Sequence, residues 1–186
     1  MPKRIDHDLR RRQIAEALWR LVAANGMEAV SLRQVAAGAG VSMGMVQHYF
    51  TDKEEMVLFA LSSLTEQVGR RVGEALADQD DPLQRVRAVL VQTLPLDDER
   101  RLEARVAVTF LARAPVDEKI AAHLRSGYAE GHAYLVEQLR AAGVPDAEQE
   151  AFRLVALTDG LTAHTLAGHH APAEALAVLD EHLARL

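Results

Sequence analysis

The chain of 186 residues contains no cysteine. That one absence excludes a disulfide framework, a thiolate metal site and a cysteine nucleophile. It is compatible with a reducing compartment, and a cytoplasmic location is the expectation. Aromatic residues are scarce, at 4%. No apolar run reaches the length needed to cross a bilayer, so no membrane partner is expected. The leading MPKRIDHDLRRR lacks the apolar core of a signal peptide. Sustained period-two alternation and Asn-Gly hairpin turns are missing, which argues against strands. GAGVSMG lacks the following lysine and the preceding strand of a phosphate-binding loop.

Metal chemistry finds no support either. His164, His169 and His170, with Asp159 or Glu174 nearby, show no HExxH spacing and no cysteine partner, and read as solvated histidines. Glu130 and His132 miss the Glu-x-x-His spacing of a di-metal carboxylate bundle. No metal, no cofactor and no enzymatic activity are expected.

What is present is apolar residue, at 49%, and helical punctuation almost everywhere. Net charge is −6, but it is unevenly spread. Residues 1–53 carry eight Lys/Arg (Lys3, Arg4, Arg10, Arg11, Arg12, Arg20, Arg33, Lys53) against five acids, a surplus of three positive charges. Residues 54–186 carry thirteen against twenty-two, a surplus of nine negative charges. A basic head on an acidic body hints at a polyanion partner for the head.

Ile14, Leu18, Leu21 and Val22 form one stripe over Leu9–Ala24, ended by Asn25-Gly26. Ser31 and Gln34 read as a capping box for a short second helix. Ser42 starts a third, only about two turns long, and Glu54-Glu55 suit the first turn of a fourth running from Lys53 to about Leu76. Further helices are expected from Asp81-Pro82 to Leu94, Asp97 to Ala114, Asp117 to Ala142, Asp146 to Leu166 and Pro172 to Leu183. The expected fold is all-α: an N-terminal three-helix helix-turn-helix domain at 1–53 and a helical bundle at 54–186, about nine helices in total.

Ala36, Gly40 and Val46 have the small, flexible and apolar character that a helix-turn-helix corner requires at that spacing. Val46 and Phe50, one turn apart, would anchor the third helix inward and force its other positions out. Such a helix enters the DNA major groove. Gln47 suits an adenine edge, and Met43 and Met45 suit thymine methyls. Gly44 allows close backbone approach. Ser42, Tyr49 and Lys53 suit phosphates, and Arg33 a base or a phosphate. His48 shares the exposed face.

The stretch AAGAGVSMGMVQHYFTDKEEM carries a specific resemblance: residues 9–55 resemble the N-terminal domain of TetR-family transcriptional regulators. The chain departs from that pattern at Gln47, where the family most often has Tyr, and at Met43, where it often has a basic residue or proline. RVAVTFLARAPVDEKIAAHL, LRSGYAEGHAYLVEQL and LVALTDGLTAHTLAG resemble the C-terminal domain of the BetI-like branch. The resemblance implies a homodimeric, one-component repressor that binds a pseudopalindromic double-stranded DNA operator and is released by a small-molecule effector.

Polar or aromatic residues on the apolar stripes of the body are the effector candidates: Thr109, Phe110, Tyr128, Asp159 and Thr162, with Arg105 a partner for Asp159 unless a cationic ligand takes that place. Leu157, Leu161, Thr165, Leu176, Leu179 and Leu183 are the dimer candidates that the resemblance implies, by a four-helix contact. The competing reading is a helical scaffold or adaptor without sequence-specific DNA binding.

Overall fold

The structure is a computed structural model describing residues 2–186, with the side chains of 2–6 and 29 excepted. Lys3 and Arg4 of the basic head therefore lie outside the described side chains. Nine α-helices follow in order: α1 Pro2–Asn25, α2 Leu32–Ala39, α3 Met43–Tyr49, α4 Lys53–Leu76, α5 Pro82–Val91, α6 Asp98–Arg113, α7 Glu118–Ala141, α8 Ala147–Leu166 and α9 Pro172–Leu183. Single 3-10 turns at Met27–Ala29 and Ala114–Val116 precede α2 and α7. No strand occurs among the described residues.

The expected punctuation explains most boundaries. The Asp81 carboxylate accepts from the Gln84 N–H at 2.8 Å, with Pro82 at the first helical position. Asp97 does the same for Arg100 at 2.8 Å. At α9 the Glu174 carboxylate accepts the Ala171 N–H at 2.7 Å. Three ends differ from expectation. Helix α1 begins at Pro2 rather than Leu9, proline being tolerated in a first helical turn. Helix α5 stops at Val91 rather than Leu94, because Gln92 and Thr93 turn back onto Val89 and Leu90. Asp146 does not cap α8 through its side chain; it sits at φ 51°, the left-handed conformation that Asn and Asp tolerate best among residues with a Cβ.

The chain divides into two compact units, and the division does not coincide with Lys53. The first comprises 1–66 and 105–123. Its interior gathers Ile14, Leu18 and Val22 of α1, Val35 of α2, Val46 and Phe50 around α3, and Met56 and Ala60 of α4, all buried. Trp19 is placed among them by an indole N–H donated to the Ala60 carbonyl at 2.9 Å. The second unit comprises 67–104 and 124–186. Its core joins Val86, Leu90 and Leu94 to Leu135, Leu139, Leu154, Leu179 and Leu183.

Candidate nucleic-acid interface

The corner between α2 and α3 is built by its backbone. Gly40 adopts φ 68°, ψ 28°, left-handed as expected, and ends α2. The Gly40 and Val41 N–H groups reach back to the Ala37 and Ala36 carbonyls at 3.2 and 3.0 Å. Those bonds satisfy carbonyls the helix end would otherwise leave open. Ala36 is buried where the helices meet. Ser42 then starts α3, its Oγ accepting the Met45 N–H at 3.1 Å. Such a cap contributes about 1 kcal/mol.

With seven residues, α3 cannot be stable by itself. Val46, at 0% exposure, and Phe50, at 1%, hold it to the first unit. The consequence follows from helical geometry: Ser42, Met43, Gly44, Met45, Gln47 and His48 are all exposed, and Tyr49 is half-buried. Arg33 on α2 and Lys53 at the start of α4 are exposed too. A Cβ built on Gly44 would meet nothing nearer than the Ser42 hydroxyl, at 3.9 Å, so the protein itself does not demand glycine there.

Two features of this surface were not legible in the sequence. The His7 ring lies edge-on to Tyr49 at 4.6 Å, with His48 on the same phenol at 5.2 Å. Second, Arg11 and Glu55 close the exit of α3: Glu55 accepts from the Thr51 N–H at 2.7 Å, from the Thr51 hydroxyl at 2.9 Å and from Arg11 at 2.9 Å. The Thr51 N–H, then its hydroxyl, hold the Glu55 carboxyl below its ordinary pKa, so it is ionised at neutral pH. Sequence spacing could not reveal the contacts of His7 and Arg11, since α1 is remote from α3 along the chain.

The remaining candidates are scattered over both units. In the first, Arg105 is exposed, Phe110 is fully buried, and the Thr109 hydroxyl is occupied by its own helix, donating to the Arg105 carbonyl at 2.8 Å. In the second, Tyr128 is exposed and stacks on His132 at 5.4 Å, and buried Thr162 donates to the Thr93 carbonyl at 3.3 Å. Asp159 has no hydrogen-bond or ion-pair partner among the described residues, and the pairing expected with Arg105 is not made. Solvent reaches Asp159, yet desolvation raises its carboxyl pKa.

A cavity of about 560 Å³ in the first unit is lined by Met27, Val57, Leu58 and Ile120 beneath charged residues including Lys53, Glu54, Arg113 and Lys119. None of the six effector candidates lines it. Among the dimer candidates, Thr165, Leu179 and Leu183 are buried, and Leu161 and Leu176 pack against the same core. Those leucines close the core of the single chain; the exposed apolar side chains of α8 and α9 are Phe152 and Val178 instead. Leu157 is half-buried. No group of three or more metal-donor side chains able to hold an ion occurs among the described residues.

A short capped helix with two inward anchors and a polar outer face, reached through a left-handed glycine, is the reading helix of a helix-turn-helix. Residues 14–59 match the profile of the bacterial regulatory proteins of the tetR family, and residues 82–186 match that of the C-terminal part of BetI-type transcriptional repressors. The chain belongs to the TetR family of transcriptional regulators. It is 38% identical to the HTH-type transcriptional regulator PksA of Bacillus subtilis over 89% of this chain and 83% of that one. It is 29% identical to the HTH-type transcriptional regulator BetI of Brucella canis over 99% and 94%. Among solved structures, a transcriptional regulator from Rhodococcus sp. Rha1 superposes with a TM-score of 0.87 at 34% identity, covering 94% of each chain. A Saccharomonospora viridis regulator in complex with choline shares the fold at 24% identity and a TM-score of 0.85, covering 92% of this chain and 93% of that one. The TetR-family chain is thus a DNA-binding regulator with a helix-turn-helix head. No helix among the described residues is long and apolar enough to cross a membrane.

Proposed function

We propose that this TetR-family protein is a cytoplasmic, homodimeric repressor whose head, residues 1–53, binds a pseudopalindromic operator, and whose body, residues 54–186, releases it on binding a small molecule. The observation that carries the reading is the outward face of α3. Gln47, Met43 and Met45 stand exposed on a helix that buried Val46 and Phe50 anchor. Gln47 reads an adenine edge, the methionines touch thymine methyls, and Lys53, Tyr49 and Arg33 take phosphates.

Dimerisation is supported by α8 and α9. Exposed Phe152, Ala156 and Ala163 on α8, with Ala177 and Val178 on α9, leave a surface of small and apolar side chains on which two symmetry-related helices can approach closely. The leucines behind it give that surface a rigid backing. For the effector, the unpartnered Asp159 carboxylate favours a cationic molecule, since a positive charge offsets the desolvation that now raises its pKa. The fold neighbour solved with choline, a quaternary ammonium, agrees with that class.

Fluorescence anisotropy with duplexes recovered from a random-sequence pool, across a salt series, tests the reading. One enriched pseudopalindromic sequence, bound more weakly as salt rises, is the expected result. Failure to enrich any sequence would return the molecule to a helical scaffold or adaptor. Release of the enriched duplex by quaternary ammonium compounds, lost in Asp159→Asn, checks the effector class.

A further inference from the structure

The side chain of Arg11 touches both sides of the corner where α3 hands over to α4. Its guanidinium lies 4.7 Å from the centre of the Phe50 ring and 4.2 Å from that of Phe59, over both rings at once. Phe50 is the residue that ends α3, and its ring also leans on Phe59 at 5.5 Å. Beyond the corner, an Arg11 terminal nitrogen donates to Glu55 at 2.9 Å, and Glu55 in turn holds the N–H and hydroxyl of Thr51. Glu55 itself is fixed by its own N–H, donated to the Asp52 carboxylate at 2.7 Å. The Arg11 Nε is buried with no hydrogen-bond partner.

An arginine whose role was phosphate contact would keep its donors in solvent. Arg11 does the reverse: only 23% of its side chain is exposed. A half-buried guanidinium with one buried, unsatisfied N–H is a stability cost that an apolar side chain of similar length would avoid. Such a group is retained where its geometry is needed, and the element it touches is the marginal one. Helix α3 has two buried anchors, and one of them, Phe50, is held against the Arg11 plane. Rotation of a helix about its axis moves its outer side chains relative to the bases, and the flat fork of arginine, gripping a ring on one side and a carboxylate on the other, opposes that rotation. Lysine offers neither the plane nor the fork.

We infer that Arg11 is a positioning residue for operator recognition: clamped between Phe50, Phe59 and Glu55, it fixes the rotation of α3 and so the aim of Gln47, without touching DNA. The inference rests on α3 being the reading helix, and the experiment separates the two. The full chain and its Arg11→Met, Arg11→Lys, Glu55→Gln and Lys53→Ala variants are titrated by anisotropy against the duplex that the wild-type protein selects from a random-sequence pool, and against a scrambled duplex, across salt. If the wild-type protein selects nothing, the reading of α3 has failed before Arg11 is asked about.

Given a selected duplex, Arg11→Met is expected to bind it about tenfold more weakly, the loss of roughly one base contact. Its affinity for scrambled DNA and its salt slope should stay at the wild-type values, and Arg11→Lys should not rescue it. Lys53→Ala provides the contrast: weaker binding to both duplexes and a salt slope shallower by about 0.9. Unchanged affinity of Arg11→Met for the selected duplex overturns the inference. So does a loss shared equally by both duplexes with a shallower slope, which would make Arg11 a phosphate contact. Should Arg11→Met not fold, Glu55→Gln decides. A several-fold loss confined to the selected duplex supports the clamp, and no loss refutes it.

Discussion

Polar side chains serve opposite purposes on the α2–α3 surface and in the second compact unit. On the α2–α3 surface, Arg33, Gln47 and Lys53 stand exposed with no hydrogen-bond or ion-pair partner among the described residues. In the second unit the charged groups turn to one another. Arg71 grips buried Glu103 at 2.6 Å and also reaches Gln92. Arg87 pairs with Asp180 through two bonds, of 2.6 and 3.0 Å, and Glu150, buried on α8, takes His182 at 2.6 Å and Arg153 at 2.9 Å. A protein that satisfies its polar groups internally spends them on its own stability and geometry. One that leaves an organised set of them unpaired on a rigid corner keeps them free for a partner, and DNA is the partner proposed for this set.

The contrast can be broken by mutation. The largest expected effect lies in the second unit: Glu103→Ala removes the main partner of the Arg71 guanidinium and should cost about 3 kcal/mol in urea unfolding, with the operator affinity per folded molecule unchanged. In the first unit the reverse holds. Gln47→Ala should lower affinity for the selected duplex about tenfold while moving stability by less than about 0.5 kcal/mol. A Gln47 variant that unfolds easily, or binds as well as wild type, would dissolve the distinction.

Gly40→Ala sharpens the comparison, because the corner serves both ends: a Cβ meets no atom within 4 Å there, yet φ is +68°. The expected loss is about 1 kcal/mol of stability from backbone strain alone, read by thermal unfolding, together with weaker DNA binding.

The smallest effect is pH-dependent. Burial pushes the Glu150 carboxyl up, but the hydrogen bonds from His182 and Arg153 outweigh it and hold the pKa below the ordinary 4.5. An acid whose pKa is lowered on folding stabilises the fold above its unfolded value, and that contribution fades as pH falls through the folded one. The stability difference between wild type and Glu150→Gln should therefore shrink as pH falls below 4.5.

Legibility in the sequence followed the range of the interaction. Helix number, most caps, the Gly40 turn and the inward pair Val46 and Phe50 depend on residues within a turn or two of one another, and local spacing carries them. The outward face of α3 follows from that pair by helical geometry alone. The α1–α3 contacts of His7 and Arg11 join distant parts of the chain, and nothing in either segment marks the other as a neighbour. The dimer candidates raise a different point. Periodicity identifies the apolar stripe of α8 and α9, but a stripe facing its own core and one facing a second chain have the same period; burial alone puts Leu179 and Leu183 inside and leaves Phe152 and Val178 outside.

By itself, then, the sequence determined an all-α chain with a helix-turn-helix near its start, because capping, helical period and left-handed glycine are local properties of covalent geometry and nearby hydrogen bonds. The tertiary structure decided which polar groups are already satisfied and which remain free, where Arg11 spends its charge, and which face of α8 and α9 is open. Those depend on distant segments being brought within van der Waals or hydrogen-bonding reach, and a linear pattern of residues does not encode that distance.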